Sequence, residues 1–290
     1  MNGLGREGIY CYNKAGKENR SFCTGTEKTA GDLSITDHQP ERRNDNFENI
    51  TFERIKNDEI IREYIRRADR NLAAMGYTKH SFGHVTKVAE GAAEILTALG
   101  YDERTVELAR IAGFLHDIGN VVNRADHAQS GAIMAFQLLT GMGMPAKEIG
   151  YVVSAIGHHD EGTAFPVNAI AAAVILADKS DVRRSRVRNK ENTTFDIHDR
   201  VNYAVEKSSL ILNRSARTIS LILSIDTSIC AVMDYFEIFL TRMMLSKRAA
   251  EYLDLSLKLE FFGTEFLCSP APPITEKIPW RCRGIFLCPA

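Results

Sequence analysis

The chain has 290 residues, 44% of them apolar, with 36 basic against 37 acidic side chains and a formal net charge of -1. This composition is ordinary for a soluble globular protein and argues against general disorder. So small a net charge gives no overall pull toward nucleic acid or anionic membrane, and any phosphate-binding patch has to be local.

Residues 1 to about 50 are rich in Gly, Asn, Thr, Glu and Arg and show no sustained apolar period, so an irregular leader is expected there. From Asp58 the period becomes helical: Ile61, Tyr64, Ile65, Ala68 and Leu72 share a face, and Gly76 supplies a stop. A second helix fits about 81–99, with His84, Val88, Ala92, Ile95 and Leu99 on one side, and a third fits about 103–116. Helices near 127–140, 145–159 and 166–184 follow, with Pro145 and Pro166 placed where a first-turn proline is tolerated.

Beyond about 200, Ser209–Leu212 and Thr218–Ile225 read as a strand pair turning at Asn213-Arg214-Ser215. A helix near 231–253 and a strand near 255–262 complete a β-β-α-β unit, and Met233, Phe236, Phe239 and Leu240 are read as core of that helix. The expected fold class is mainly α, a helical bundle followed by a small α+β unit. The expected divisions are a leader (1–50), a helical domain (51–200), the α+β domain (201–267) and an irregular tail (268–290).

Cys11, Cys23, Cys230, Cys268, Cys282 and Cys288 form no C-x-x-C pair, so free thiols in a reducing cytoplasm are expected rather than a thiolate zinc clasp. No signal-peptide pattern and no run of 18 apolar residues occurs, so a cytoplasmic location without a membrane partner is expected.

Seven side chains of metal-ligand type interrupt apolar helices or end them: His84, His116, Asp117, His127, His158, His159 and Asp178. A lone histidine on an apolar face is usually a hydrogen-bonded core residue. Several helical segments each turning one inward is a different matter, and an unpaired carboxylate in Ala-Ala-Ala-Val-Ile-Leu-Ala-Asp would cost several kcal/mol, so a cation is the economical partner. Helical phase puts His159 in line with Ile149, Val152 and Ile156, whereas His158 lies about 100° round and can face a substrate mouth.

The phrases HVTKVA, FLHDIGN, DHAQSGA, GHHDEG and ILADKSD resemble the successive motifs of the HD-domain phosphohydrolase superfamily, over about residues 80–185. The extra His127 and the double histidine look like its dinuclear branches, which include the HD-GYP cyclic-dinucleotide phosphodiesterases and the diadenosine tetraphosphate hydrolases. The resemblance implies one metal on His84, His116, Asp117 and Asp178, and a second on Asp117, His127 and one or both of His158 and His159. It further implies catalytic roles for Asp117, His116 and His158. Asn120 replaces the lysine that often follows His-Asp-Ile-Gly, and Thr163-Ala164-Phe165-Pro166 replaces Gly-Tyr-Pro, which weighs against cyclic di-GMP as substrate.

Imidazole and carboxylate ligands suit two divalent metals, iron or manganese first, with zinc, cobalt or nickel also compatible. A metal pair provides a nucleophile at neutral pH and spreads phosphoryl charge. Lys179, Arg183, Arg184 and Arg186, with Arg124, are candidate phosphate contacts, set against the plainer reading of a solvated helix end. His80, one turn before His84, is read as structural rather than substrate-binding, and His38 and His198 lie outside the proposed site. The expected activity is hydrolysis of a phosphate ester or anhydride of a small nucleotide-like molecule, with no nucleic acid partner and a possible homodimer. The alternatives are a nucleotide-binding sensor or scaffold without turnover and an HD-type di-iron oxygenase.

Overall fold

Side-chain caps fix where the helices begin. In the computed structural model, which describes residues 50–188, 197–261 and 264–268, Thr51 accepts from the Arg54 N–H to open α1 (Phe52–Asn57). Asp58 accepts from Ile61 to open α2 (Glu59–Ala74). Helix α3 (Phe82–Leu99) ends at Gly100, whose φ of 84° suits a glycine C-terminal stop, and Asp102 accepts from Thr105 to open α4 (Glu103–Leu115). A single 3-10 turn, Ile118–Val121, follows, and then α5 (His127–Gly141) and α6 (Ala146–Gly157).

Helix α7 (Ala169–Ser180) departs from the expected 166–184 at both ends. Pro166 precedes it, the Asn168 side chain accepts from Ala171 as its cap, and Asp181 terminates it, so the basic run lies beyond the helix. All residues from Ile170 to Lys179 are buried. A helix apolar on every side belongs inside, and its alanines let α3, α4, α6 and α9 (Val232–Tyr252) pack around it. Close approach also joins α3 to α4: a Cβ on Gly113 would lie 2.8 Å from Ala89 Cα, so only glycine fits.

The C-terminal part begins with α8 (Ile197–Ala204), which the periodicity did not predict. Strands β1 (Val205–Asn213) and β2 (Thr218–Ile225) pair antiparallel. Helix α9 then crosses over so that β3 (Ser256–Phe261) lies parallel to β2, as a parallel pair requires. A fourth strand, β4 (Thr264–Cys268), pairs antiparallel with β3 and extends the expected β-β-α-β unit into a four-stranded sheet of order β1-β2-β3-β4.

Ile219, Leu245, Ala249 and Leu257 join the same buried cluster as the helices, while Leu221, Leu223, Tyr235, Phe239 and Phe261 form a second cluster. On α9, Phe239 and Met243 are buried, but Met233 and Leu240 are more than half exposed, which corrects their assignment to the core. No helix among the described residues is long and apolar enough to cross a membrane. The expected leader, apart from Ile50, and the expected tail beyond Cys268 lie outside the described residues.

Candidate metal centre

Each expected ligand sits at or near an element terminus. His84 is in the first turn of α3, His116 caps the end of α4, Asp117 opens the 3-10 turn, and His127 is the first residue of α5. His159 follows the end of α6, and Asp178 occupies the last turn of α7. Two backbone features set His127 against Asp117. Asp126 takes a left-handed φ of 54°, unusual for a non-glycine residue, and Gly119 packs so tightly on α5 that a Cβ there would meet the His127 carbonyl oxygen at 2.0 Å.

These side chains converge on the two oxygens of Asp117. Oδ2 lies 3.5 Å from His84 Nε2 and 3.2 Å from His116 Nε2, and Asp178 Oδ1 closes the group at 3.3 Å and 3.7 Å from the same two nitrogens. Oδ1 lies 3.4 Å from His127 Nε2 and 3.8 Å from His159 Nε2, with those nitrogens 3.2 Å apart. Asn120 donates to Asp117 Oδ1 and to its carbonyl, so the residue that departs from the HD-GYP pattern steadies the carboxylate. His158 supplies no atom to either group of donors, and its buried Nδ1 has no hydrogen-bond partner.

The other nitrogen of each converging imidazole is already engaged. His84 Nδ1 lies 2.8 Å from Asp181 Oδ2, and the Nδ1 atoms of His116, His127 and His159 lie 2.7, 3.0 and 2.7 Å from the carbonyls of Gly113, Arg124 and Ile156. Those acceptors keep a proton on Nδ1 and turn the Nε2 atoms inward, the arrangement found around metal-ligating histidines. His84 Nε2 and His116 Nε2 are buried without a hydrogen-bond partner. Two unpartnered Nε2 atoms beside two carboxylates form a donor set that a divalent cation satisfies in exchange for ring protons.

Electrostatics agree with that demand. Burial alone would discharge His116, but the Asp117 carboxylate, with Asp178, raises its pKa to about 10. Burial also opposes charge on His84, yet Asp117, Asp178 and Asp181 raise it. Burial would lift Asp117 and Asp178, but His116 acting on the first and Lys179 on the second hold both well below the usual carboxylate range. Burial lowers His159, and lowers His80 further still, so these rings stay neutral.

A metal at Nε2 needs the unprotonated ring, so cation uptake at neutral pH is expected to release about one proton, chiefly from His116. Affinity should climb with pH and level off only above about 10. Calorimetry in buffers of different ionisation enthalpy counts the protons; uptake with no proton release would contradict this.

The basic residues are largely committed to the protein itself. Arg183 pairs with Asp181 at 2.8 Å, and Arg184 donates to the Tyr203 carbonyl at 2.6 Å with its guanidinium over the Tyr203 ring. Buried Arg186 donates to the carbonyls of Asp181 and Lys79. Lys179 lies 2.7 Å from Asp178 Oδ2, at the centre itself, and Arg124 Nη1 lies 3.3 Å from His127 Nε2. His80 also borders the centre, its Nε2 3.9 Å from Asp117 Oδ2.

Four neighbours of the centre are not singled out by the sequence. Asp181 orients His84, Asp160 Oδ1 lies 3.8 Å from His127 Nε2, Glu161 holds Lys179 at 3.2 Å, and Arg242 holds Glu161 at 3.0 Å. The i, i+3 spacing of Asp178 and Asp181 was a usable signal for the first, but Glu161 and Arg242 meet only in three dimensions.

Residues 81–207 match the family model described as HD domain. No curated protein matches the chain. HD domains bind divalent metals, and two groups here could hold one: His84, His116 and Asp178, and His116, Asp117 and His159. The matched segment, which gathers these histidines and aspartates, is similar to the HD domain.

Proposed function

We propose that the protein is a phosphohydrolase with a dinuclear metal centre that cleaves a phosphate ester or anhydride of a small nucleotide-like substrate. One observation carries the reading: the two oxygens of Asp117 face two separate pairs of inward Nε2 atoms, His84 with His116 and His127 with His159. In this reading His84, His116, Asp117 and Asp178 hold one metal, and Asp117, His127 and His159 hold the other, with iron or manganese the best match to the ligand types. Bound metals supply a nucleophile at neutral pH and neutralise the charge that builds on phosphoryl oxygens.

The chain's own side chains then position the substrate. Arg124 cannot keep its contact with His127 Nε2 once that lone pair is engaged, so its half-buried guanidinium becomes free to grip a phosphate oxygen while still resting over Tyr77. Lys179 remains a fixed positive charge beside Asp178, held charged by the Asp178 and Glu161 carboxylates against the pull of burial. The near-neutral charge of the whole chain fits a small phosphorylated substrate better than nucleic acid.

The test is metal analysis followed by a phosphate-release panel. Full-length protein reconstituted with Mn2+ or with Fe2+ under anaerobic conditions should take up about two ions, as a dinuclear site requires, and release phosphate from at least one nucleotide or dinucleotide. Chelation should stop the reaction and metal return should restore it. Tight nucleotide binding with no turnover in metal-replete protein would favour a sensor instead.

A further inference from the structure

We infer that Arg242, carried on α9 beyond the HD-matched segment, is a positioning residue for the metal centre, acting through Glu161 and Lys179 on Asp178. The inference rests on the reading of His84, His116, Asp117 and Asp178 as a metal site, and it does not depend on which substrate is cleaved.

Asp178 uses its two oxygens differently. Oδ1 faces His84 Nε2 and His116 Nε2, while Oδ2 lies 2.7 Å from Lys179 Nζ. A lysine ammonium on a four-carbon stem could swing toward either oxygen and compete for Oδ1. It is restrained here, because Lys179 is buried and Nζ also lies 3.2 Å from Glu161 Oε1. That same oxygen accepts from Arg242 Nε at 3.0 Å, and the Arg242 guanidinium lies over the Phe239 ring, 4.5 Å from its centroid. The order Asp178, Lys179, Glu161, Arg242 alternates in sign from the centre outward to the C-terminal helix.

Without Arg242, Glu161 would be balanced by Lys179 alone. The ammonium would be drawn toward Glu161 and off Oδ2, and the Asp178 carboxylate would be free to turn away from the histidines. Two effects of removing Arg242 then have opposite signs. Loss of a nearby positive charge by itself favours cation binding, whereas loss of positioning weakens it. The sign of the change therefore separates a positioning role from mere proximity, and a purely structural role would change thermal stability without changing metal affinity.

The experiment is calorimetric titration of metal-free full-length protein with Mn2+, with thermal melting of the same samples. Arg242→Met should weaken one Mn2+ equivalent about 10-fold and leave the other within about 2-fold, the scale of a lost outer-shell contact. Arg242→Lys, which returns a cation to Glu161, should recover most of the loss. If Arg242→Met does not fold, Arg242→Gln, which removes the charge but keeps a donor, must show the same sign. Unchanged or tighter Mn2+ binding in the folded neutral variant overturns the inference alone. A wild-type chain that takes up no Mn2+ overturns the metal reading and the inference with it.

Discussion

Asp117→Asn should reduce phosphate release by on the order of 1,000-fold or more, the scale of removing charge stabilisation from a hydrolytic centre, and should also lower Mn2+ uptake. The substitution keeps the volume, and one oxygen can still meet Asn120. The amide's other end, however, turns N–H donors toward whichever pair of imidazoles it faces, where the Nε2 atoms now meet an anionic oxygen at 3.2–3.5 Å for one pair and 3.4–3.8 Å for the other. The His116 and His159 rings also touch, 4.9 Å between centroids, but among the described residues Asp117 is the carboxylate whose two oxygens face both pairs, so its loss should affect both positions most. By contrast, His127→Ala should spare the His84 and His116 position. Turnover, metal content and circular dichroism together decide the matter; undiminished turnover in a natively folded Asp117→Asn protein would remove the proposed mechanism.

That sensitivity follows from how the fold presents the residue. Asp117 lies where α4 ends and the 3-10 turn begins, between the α3–α4 contact that Gly113 permits and the α5 contact that Gly119 permits. The two glycines hold His84 and His127 on opposite sides of one carboxylate, and the buried α7 brings Asp178 to the first of them. Small residues at helix crossings therefore set distances among polar atoms several residues away.

The converging side chains were legible because each breaks an apolar pattern. A histidine or aspartate at the buried end of a helix is conspicuous when its neighbours are Val, Ile, Leu and Ala, and helical phase favours His159 over His158 although both follow the end of α6. The helices themselves were legible where periodicity and caps coincide, as at Asp58 and Asp102. α1 was missed because six residues are too few to display a period, and the start of α7 was misplaced because Pro166 looked like a first-turn proline while the Asn168 side chain makes the cap. Arg183, Arg184 and Arg186 read as a phosphate patch because composition records charge and not partners. Those partners are Asp181, nearby in sequence, and groups that only folding delivers, the carbonyls of Lys79 and Tyr203.

Asp181 is where those arginines and the metal centre meet, and its loss is expected to damage both. The side chain is fully buried, with Oδ1 2.8 Å from Lys87 Nζ and Oδ2 2.8 Å from His84 Nδ1. Burial would raise its pKa, but His84, Arg186 and Lys87 hold it far below the usual carboxylate range. A lowered carboxyl pKa contributes stability that is complete above the unfolded value of about 3.8 and is lost only as pH falls toward the folded one, so the full contribution is present at neutral pH.

Asp181→Ala strands the His84 Nδ1–H and takes the carboxylate from Lys87 and from buried Arg186, which keeps its carbonyl partners; this should cost about 3–5 kcal/mol, the scale of breaking a buried pair. Asp181→Asn fills the space and can still accept from His84, but it no longer draws the ring proton as a carboxylate does. It should leave the melting temperature closer to wild type and weaken Mn2+ binding by about 10–100-fold at the His84 position. Thermal melts and Mn2+ titration of the two variants separate the effects. Wild-type affinity in Asp181→Asn would mean that His84 is oriented by packing alone, and an unshifted melt for Asp181→Ala would mean that the arginines find other partners at no cost.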